Sequence, residues 1–186
     1  MYDDIVLPDL DEMCSEHLCY RDFVECSQTW RSINSQTDES LSPKVVSNIP
    51  QQLGTYQAIA QLSQELLEPI ISEFGDIGLT YGFACPQLTR HIKRGIAPKL
   101  DQHAGCELRR DGNLVCPRKG MAVDFMSNST SSLELAHWIV EHLPFDALYF
   151  YGDSRPVHIA WGESPSKRIY TLIETPRGRR PVRGLH

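Results

Sequence analysis

The sequence lacks any long apolar run. It has no stretch of about 18 or more consecutive apolar residues, which is the length that a membrane-spanning helix requires. We therefore expect no membrane partner. The first residues, MYDDIVLPDLDEM, are acidic, whereas a secretory signal combines a basic start with an apolar run. We accordingly expect a cytoplasmic protein, which host lysis would release if the chain were encoded by a phage.

Positive charge is also scarce. The chain has 18 Lys and Arg against 24 Asp and Glu, a net charge of −6, which argues against a general nucleic-acid binder. The exception is the C-terminal segment TPRGRRPVRGLH, which we expect to be a mobile basic tail. Its arginines offer contacts to phosphate, so nucleic acid remains a partner only through this tail.

The familiar metal signatures are missing as well. No HExxH occurs, and the six cysteines do not form two CxxC pairs. Cys14, Cys19 and Cys26 lie near the N-terminus with His17 among them, and we interpret them as buried or idle thiols rather than a zinc finger. In a cytoplasmic protein such thiols are reduced.

The composition that is present describes an ordinary soluble domain. A length of 186 residues fits one domain, and 41% hydrophobic with 23% charged residues is typical of globular proteins. We divide the chain into an N-terminal arm and loop (1–50), a main domain (51–175) and the basic tail (176–186). Helical patterns come first and strand patterns later, which predicts an α+β fold with a mainly antiparallel sheet.

Helical periodicity and turn residues predict the individual elements. We expect helices around Leu10 to Leu18, in TYQAIAQLSQELLEPIISEFG, after Pro86, and in SSLELAHWIVEHLP. In the second of these, Thr55 is the expected cap, Pro69 the expected kink and Gly75 the expected end. The expected strands are IGLTYGF, GMAVDFM, FDALYFYG, RPVHIAWG and RIYTLIE.

Three polar residues stand beside or inside these strands: His103, Asp124 and His158. Asp124 lies between Val123 and Phe125, and a carboxylate in apolar surroundings is unfavourable unless it is paired or binds a cation. Two imidazoles and one carboxylate are a normal ligand set for catalytic zinc, which keeps a further position open for water. The alternatives are that Asp124 caps a turn or pairs with an arginine and that each histidine is hydrogen-bonded core.

From about Leu53 to Glu163 the chain resembles the zinc metallo-peptidases related to D-Ala-D-Ala carboxypeptidases, in particular their phage-like branch. The matching motifs, in the same order, are LTYGFACP, DQH, GMAVDF and RPVHIAW. The family shares its fold with hedgehog signalling domains, so the resemblance implies a small, mainly antiparallel sheet with helices packed on one face. It also implies Zn²⁺ as cofactor and His103, Asp124 and His158 as its ligands.

The spacing of the first two ligands departs from the family pattern. The family's His and Asp stand seven residues apart, whereas here the separation is 124 − 103 = 21. We interpret the difference of 14 as an insertion at about 104–118, AGCELRRDGNLVCPR, in which RDGN is a turn signal for a hairpin. The alternative alignment places Pro117 at the position of the histidine, which would leave the site inactive.

The family's substrate-contacting arginine is replaced by Ala84. A substrate carboxylate would then lack its bidentate partner, and Arg90, Arg94 or Arg155 could replace it. The resemblance and the nearby aromatic residues lead to four predicted substrate-binding residues. These are Tyr81, Arg90, Tyr151 and Arg155.

The general base is not obvious. Asp153 and Glu107 are the two carboxylates that we predict to act as catalytic residues, and for each the alternative is a solvated loop carboxylate. Cys106 and Cys116 flank the insertion, with Cys85 near in motif order. They could form a second metal site, a Cys106–Cys116 disulfide, or neither.

These observations lead to two hypotheses for function. The first is a zinc-dependent hydrolase that acts on a peptide or other amide bond of a small substrate diverged from D-Ala-D-Ala. The second is a non-catalytic metal-binding module of the same fold, which serves as a binding or accessory protein.

Overall fold

The computed structural model describes residues 6–35, 47–92, 102–176 and 178–186. Within these ranges it contains six α-helices: α1 (Tyr20–Glu25), α2 (Gln28–Asn34), α3 (Leu53–Leu62), α4 (Glu68–Phe74), α5 (Pro86–Thr89) and α6 (Ser132–His142). A π-helical turn, Ser63–Leu67, joins α3 to α4, and a 3₁₀ turn, Gln102–Ala104, precedes the predicted insertion.

The described ranges contain six strands: β1 (Ile77–Tyr81), β2 (Met121–Ser127), β3 (Ala147–Phe150), β4 (Val157–Trp161), β5 (Arg168–Thr175) and β6 (Gly178–Arg183). They form one sheet in the order β1-β2-β4-β3-β5-β6. Every neighbouring pair is antiparallel except β3 and β5, which run parallel. The predicted α+β class with a mostly antiparallel sheet is therefore confirmed.

The two faces of the sheet differ in chemistry. Side chains alternate along a strand, so Val123 and Phe125 point to one face while Ala122 and Asp124 point to the other. The first face carries the main core, in which strand residues pack with apolar residues of α1, α3, α4 and α6. The second face carries a small cluster of Ala122, Ala147 and Ala160, against which Tyr149 packs. The predicted metal ligands of the strands lie on this second face.

The long helical segment follows its predicted periodicity, with two local differences. Gly75 ends it with a φ of 79°, as expected of glycine at that position. Pro69 stands in the first turn of α4, and the irregularity expected at the proline is the π-helical turn that precedes it. The predicted cap Thr55 is wrong, because α3 begins at Leu53 and Thr55 lies buried within its first turn.

The N-terminal helix predicted at Leu10 to Leu18 is also wrong. Residues 9–19 form turns, in which Cys14 N donates to Leu18 O and Met13 bridges to Cys19. The helix begins at Tyr20 instead, where the Asp22 carboxylate accepts from the Cys19 amide. The segment called an arm packs into the main core through α1, while residues 36–46 of the expected arm and loop lie outside the described residues.

The expected mobile tail differs from the structure as well. Gly178–Arg183 pairs with β5 over six positions as strand β6, and Arg179 forms an ion pair with Glu174 at 2.7 Å. Hydrogen bonding to the neighbouring strand outweighs the local Pro and Gly signals. Nucleic-acid contact through these arginines stays a prediction. Among the described residues, no helix has the length and apolarity to cross a membrane.

The predicted insertion contains the hairpin that its turn signal indicates. Arg109 N donates to Asn113 O at 2.8 Å, Gly112 N donates to Arg109 O at 3.0 Å, and Leu108 bridges to Leu114. Residues 93–101, which include Arg94 and the start of DQH, lie outside the described part of the chain. The polypeptide on either side of the hairpin leads directly into the 3₁₀ turn and into β2.

Candidate metal centre

His103 is held in place by the chain around the end of β1. Its Nδ1 lies 2.9 Å from the carbonyl oxygen of Gly82, and its own carbonyl accepts from Ala84 N at 2.9 Å. A carbonyl only accepts, so Nδ1 carries the proton and the neutral ring presents Nε2 as a lone-pair donor. The ring is buried and lies beside Tyr81, with 4.2 Å between ring centroids.

Asp124 and His158 are brought together by strand register. They are directly opposite each other in the β2–β4 pair, on the face away from the main core. His158 Nδ1 lies 2.8 Å from Asp124 Oδ1. Because side chains directly opposite each other in antiparallel strands are close neighbours, the register alone is sufficient to place these two groups in contact.

The third side chain completes a small triangle. His103 Nε2 lies 3.2 Å from His158 Nδ1 and 3.5 Å from Asp124 Oδ1. Zinc ligands at about 2.1 Å in tetrahedral directions are separated from each other by about 3.4 Å. The three atoms therefore fit a zinc ion without a change of fold. The Gly82 carbonyl supplies the outer hydrogen bond that metal-binding histidines usually make.

The electrostatics of the triangle favour an ionised carboxylate. Burial would raise the pKa of Asp124, but contact with His103 and His158, when these imidazoles are protonated, lowers that pKa well below its usual range. The Asp124 side chain is 19% exposed, against 4% for His103 and 6% for His158. The open side of the centre is thus at Asp124. The described cluster of His103, Asp124 and His158 is suited to hold a cation.

Of the predicted substrate-binding residues, Tyr81 lies at the centre, against the His103 ring. Tyr151 follows β3 and is half-buried. Arg90 is exposed beyond α5, where it lines a cavity of about 860 Å³ between α5, residues 47–52 and the inserted hairpin. Arg155 is exposed, and its carbonyl accepts from Ser132. Among these four, Tyr81 is the residue for which the structure gives a direct contact with a predicted ligand, His103.

The predicted base Glu107 accepts three hydrogen bonds at the start of α3. Its Oε1 accepts from Gln51 N at 3.0 Å, Gln52 N at 3.2 Å and Thr55 Oγ1 at 2.9 Å, and the side chain is buried. A carboxylate at the N-terminus of α3 satisfies unpaired amides and complements the helix dipole. Its catalytic role stays a prediction.

The other predicted base, Asp153, also accepts a hydrogen bond at the start of a helix. It is exposed in the turn between β3 and β4, and its Oδ1 accepts from Leu133 N at 3.0 Å in the first turn of α6. Neither Asp153 nor Glu107 belongs to the described cluster that could hold a metal with His103. Both carboxylates stabilise helix N-termini, which neither was predicted to do.

None of the cysteines of the motif region forms a disulfide, so the structure has no Cys106–Cys116 bridge. Cys85 donates to Ser47 O and accepts from Leu88 N at the start of α5. None of the three appears in a described group that could bind a metal, which leaves the third alternative, thiols without a shared ligand. Burial raises the pKa of Cys106.

Tyr149 also lies at the candidate centre, although it is not one of the four predicted substrate-binding residues. It lies opposite His158 in the β3–β4 pair, with its ring edge-on to the imidazole at 5.1 Å, and it stacks on Tyr170 at 5.1 Å. The alternation of FDALYFYG places Tyr149 and Ala147 on one face. Sequence could have indicated that face, but only the register places Tyr149 next to His158.

A second group of potential ligands lies far along the chain at Glu16, His17 and Glu68. It is largely exposed, and His17 Nδ1 already forms an ion pair with Glu68 at 2.6 Å. Its geometry is accounted for by that pair.

The chain matches no protein-family model, no curated protein and no solved structure in the three comparisons.

Proposed function

We propose that the chain is a zinc-dependent hydrolase acting on a peptide or other amide bond. The observation that carries the proposal is the triangle of His103 Nε2, Asp124 Oδ1 and His158 Nδ1, with sides of 2.8, 3.2 and 3.5 Å. Its size and its two-imidazole, one-carboxylate chemistry match three-ligand catalytic zinc sites. The motif order that resembles the D-Ala-D-Ala carboxypeptidase family adds support.

The residues around the triangle have separable roles in this proposal. Gly82 fixes the ring and tautomer of His103 through its carbonyl, and Tyr81 and Tyr149 flank the two imidazoles. Zinc held there supplies Lewis-acid chemistry, which polarises a carbonyl and lowers the pKa of water. The partly exposed edge of Asp124 leaves one side of the centre open to a substrate.

The substrate is a small peptide-like or amide compound that differs from D-Ala-D-Ala. Ala84 is buried where the family's arginine would stand, so it offers no charge to a carboxylate. The insertion at 104–118 begins beside His103 and ends three residues before β2. A segment in that position is suited to select the substrate.

The test combines metal analysis with a hydrolase assay. We expect about one zinc per chain by mass spectrometry after purification without chelators, and hydrolysis of some members of a panel of dipeptides and N-acyl amino acids. His158→Ala should abolish both. The matched control is His137→Ala, which changes an exposed histidine of α6 and should alter neither. A wild-type chain that stays metal-free when supplied with zinc contradicts the proposal.

One observation favours a second function, a non-catalytic metal-binding module. Both carboxylates predicted as bases, Glu107 and Asp153, accept hydrogen bonds at helix N-termini. A protein that binds zinc through the triangle and hydrolyses nothing in the panel would be of this kind. Metal binding without activity, abolished in His158→Ala and kept in His137→Ala, is the result that selects it.

A further inference from the structure

We propose that Arg118, at the end of the insertion, binds an anionic group of the substrate one strand away from His158. The proposal rests on the hydrolase function proposed above and names the substrate class, a small amide that carries a carboxylate or phosphate. Arg118 replaces in function the cation that Ala84 cannot supply, from a different part of the chain. It was not among the arginines predicted for this role.

The turn that carries Arg118 is fixed on both sides. Lys119 N donates to Cys116 O at 3.2 Å, and the buried amide of Gln102 donates to Lys119 O at 3.1 Å. Gly120 follows with a φ of 76°, and a Cβ there would lie 2.0 Å from Trp161 O. The turn is therefore held between Gln102, which precedes His103, and the end of β4.

Sheet register relates this turn to the metal centre. Asp124, His158, Tyr149 and Tyr170 form one row across β2, β4, β3 and β5 on the same face. Arg118 shares the wall of a cavity with Gly162 and Arg168, which stand after the end of β4 and at the start of β5, and Arg168 lies two residues before Tyr170 of this row. Burial raises the pKa of Tyr149, the tyrosine whose ring lies edge-on to His158, and the charge of Arg118 opposes that rise. Since neighbouring strands are about 4.8 Å apart, this end of the sheet places Arg118 near the part of the row one strand beyond His158.

A cavity of about 340 Å³ opens beside Arg118, with Lys119, Ser164 and Ser166 also in its wall. Arg168 and Asp146 line it too, but they neutralise each other in an ion pair of 2.6 Å. Apart from this ion pair, the wall contains one acid, Glu163, and two cations, Arg118 and Lys119. The local charge favours an anion.

The chemistry of Arg118 selects the type of anion. A guanidinium binds carboxylate and phosphate through two parallel hydrogen bonds, which fixes direction as well as charge. Half-buried beside Tyr149, it is less free than an arginine at a loop tip. The hydroxyls of Ser164 and Ser166 can add donors for the same group. A small substrate held this way would extend its amide toward His158.

The experiment measures binding apart from turnover. In NMR spectra of arginine Nε–H groups in the full chain, recorded before zinc is added so that no turnover occurs, we expect N-acetylglycine to shift one signal that is absent from Arg118→Gln. N-acetylglycinamide, which lacks the charge, should not shift it. Arg118→Gln should weaken N-acetylglycine binding roughly tenfold to a hundredfold, as loss of a charge-assisted hydrogen bond predicts. Arg118→Lys should retain part of the affinity.

The control is Arg110→Gln, which removes an exposed arginine of the same insertion and should leave both signal and affinity unchanged. Phenyl phosphate tests the second source of the anion, and a shift by it alone would assign the site to phosphate. Equal binding of N-acetylglycine and its amide, with no response to phenyl phosphate, overturns the proposal. Zinc content measured in Arg118→Gln separates this failure from failure of the metal centre.

Discussion

The Nδ1 atom of His103 lies 2.9 Å from the carbonyl oxygen of Gly82, and this contact determines which nitrogen of the imidazole faces Asp124 and His158. The backbone next to Gly82 is held by α1, because Phe83 N donates to Phe23 O at 2.8 Å. The N-terminal helix α1 thus supports the candidate metal centre through one strand end.

Gly82→Ala should disturb the centre without touching a ligand. An added Cβ would lie 2.4 Å from Phe23 O and 3.0 Å from Cys26 Sγ, so the end of β1 must shift. Because outer hydrogen bonds orient metal-binding histidines, we expect zinc affinity to fall roughly tenfold to a hundredfold in a competition assay with a chromophoric chelator. Gly78→Ala is the matched control on β1, where the Cβ meets nothing within 4 Å. Equal affinity of the two variants would contradict this account.

Asn48→Ala should destabilise the same region. The buried Asn48 amide donates to Val24 O and Phe83 O, both at 2.8 Å, and accepts from Cys85 N at 2.9 Å. Alanine leaves these groups unsatisfied, so we expect a loss of about 3 kcal/mol in urea unfolding. Asn113→Ala, in the exposed turn of the insertion, should change stability by less than about 0.5 kcal/mol.

Variants of Glu107 distinguish a structural role of this carboxylate from a catalytic one. Glu107→Ala removes the acceptor of three hydrogen bonds at the start of α3 and should cost about 2 kcal/mol of stability. Glu107→Gln keeps an acceptor oxygen and should lose less. We expect both proteins to retain zinc. The control Glu141→Ala changes an exposed acid of α6. A folded, zinc-loaded Glu107→Gln protein without hydrolase activity would instead support the catalytic role predicted from the sequence.

The ion pair of His17 and Glu68 should make stability depend on pH. The hydrogen bond to Glu68 raises the pKa of His17, so this contribution is complete below the unfolded value of about 6.5 and is lost as pH rises through the folded pKa. Burial opposes the shift of Glu68, but the nearby Ser15 hydroxyl and hydrogen bonds from His17 lower its pKa, so its contribution is lost in acid. The pair is therefore strongest between about pH 4.5 and 6.5.

We accordingly expect His17→Ala to reduce the urea midpoint more at pH 5.5 than at pH 9. His137→Ala serves as the control for loss of an exposed histidine. An equal reduction at both pH values would show that the charge of His17 contributes nothing.

The thiols should differ in reactivity. Burial raises the pKa of Cys14 to about 11 and that of Cys26 to about 12. Because the thiolate is the reactive form, neither should be alkylated by iodoacetamide at pH 8 in the native protein. Peptide mapping of the denatured, unreduced chain should find all six cysteines labelled, since none forms a disulfide. A protected Cys106–Cys116 pair in the denatured chain would reveal a disulfide.

Prediction from sequence succeeded where neighbours along the chain decide the structure. The apolar runs around Asp124 and His158 became β2 and β4, and the helix expected in SSLELAHWIVEHLP became α6. Prediction from sequence failed where a group far along the chain supplies the hydrogen bonds of a local element. Thr55 looked like a cap, but Glu107 caps α3 instead, from 52 residues away from Thr55. The basic tail looked mobile, but pairing with β5 makes it a strand.

The sequence by itself determined the order of helices and strands and the three polar residues to compare, because hydrophobic periodicity and isolated polar groups are local properties. Only the tertiary structure decided that His103 and His158, 55 residues apart, lie 3.2 Å from each other, and that the candidate bases lie at helix ends. The physical reason is that strand register and the packing of α1 under Gly82 depend on contacts between distant segments, which no local pattern encodes.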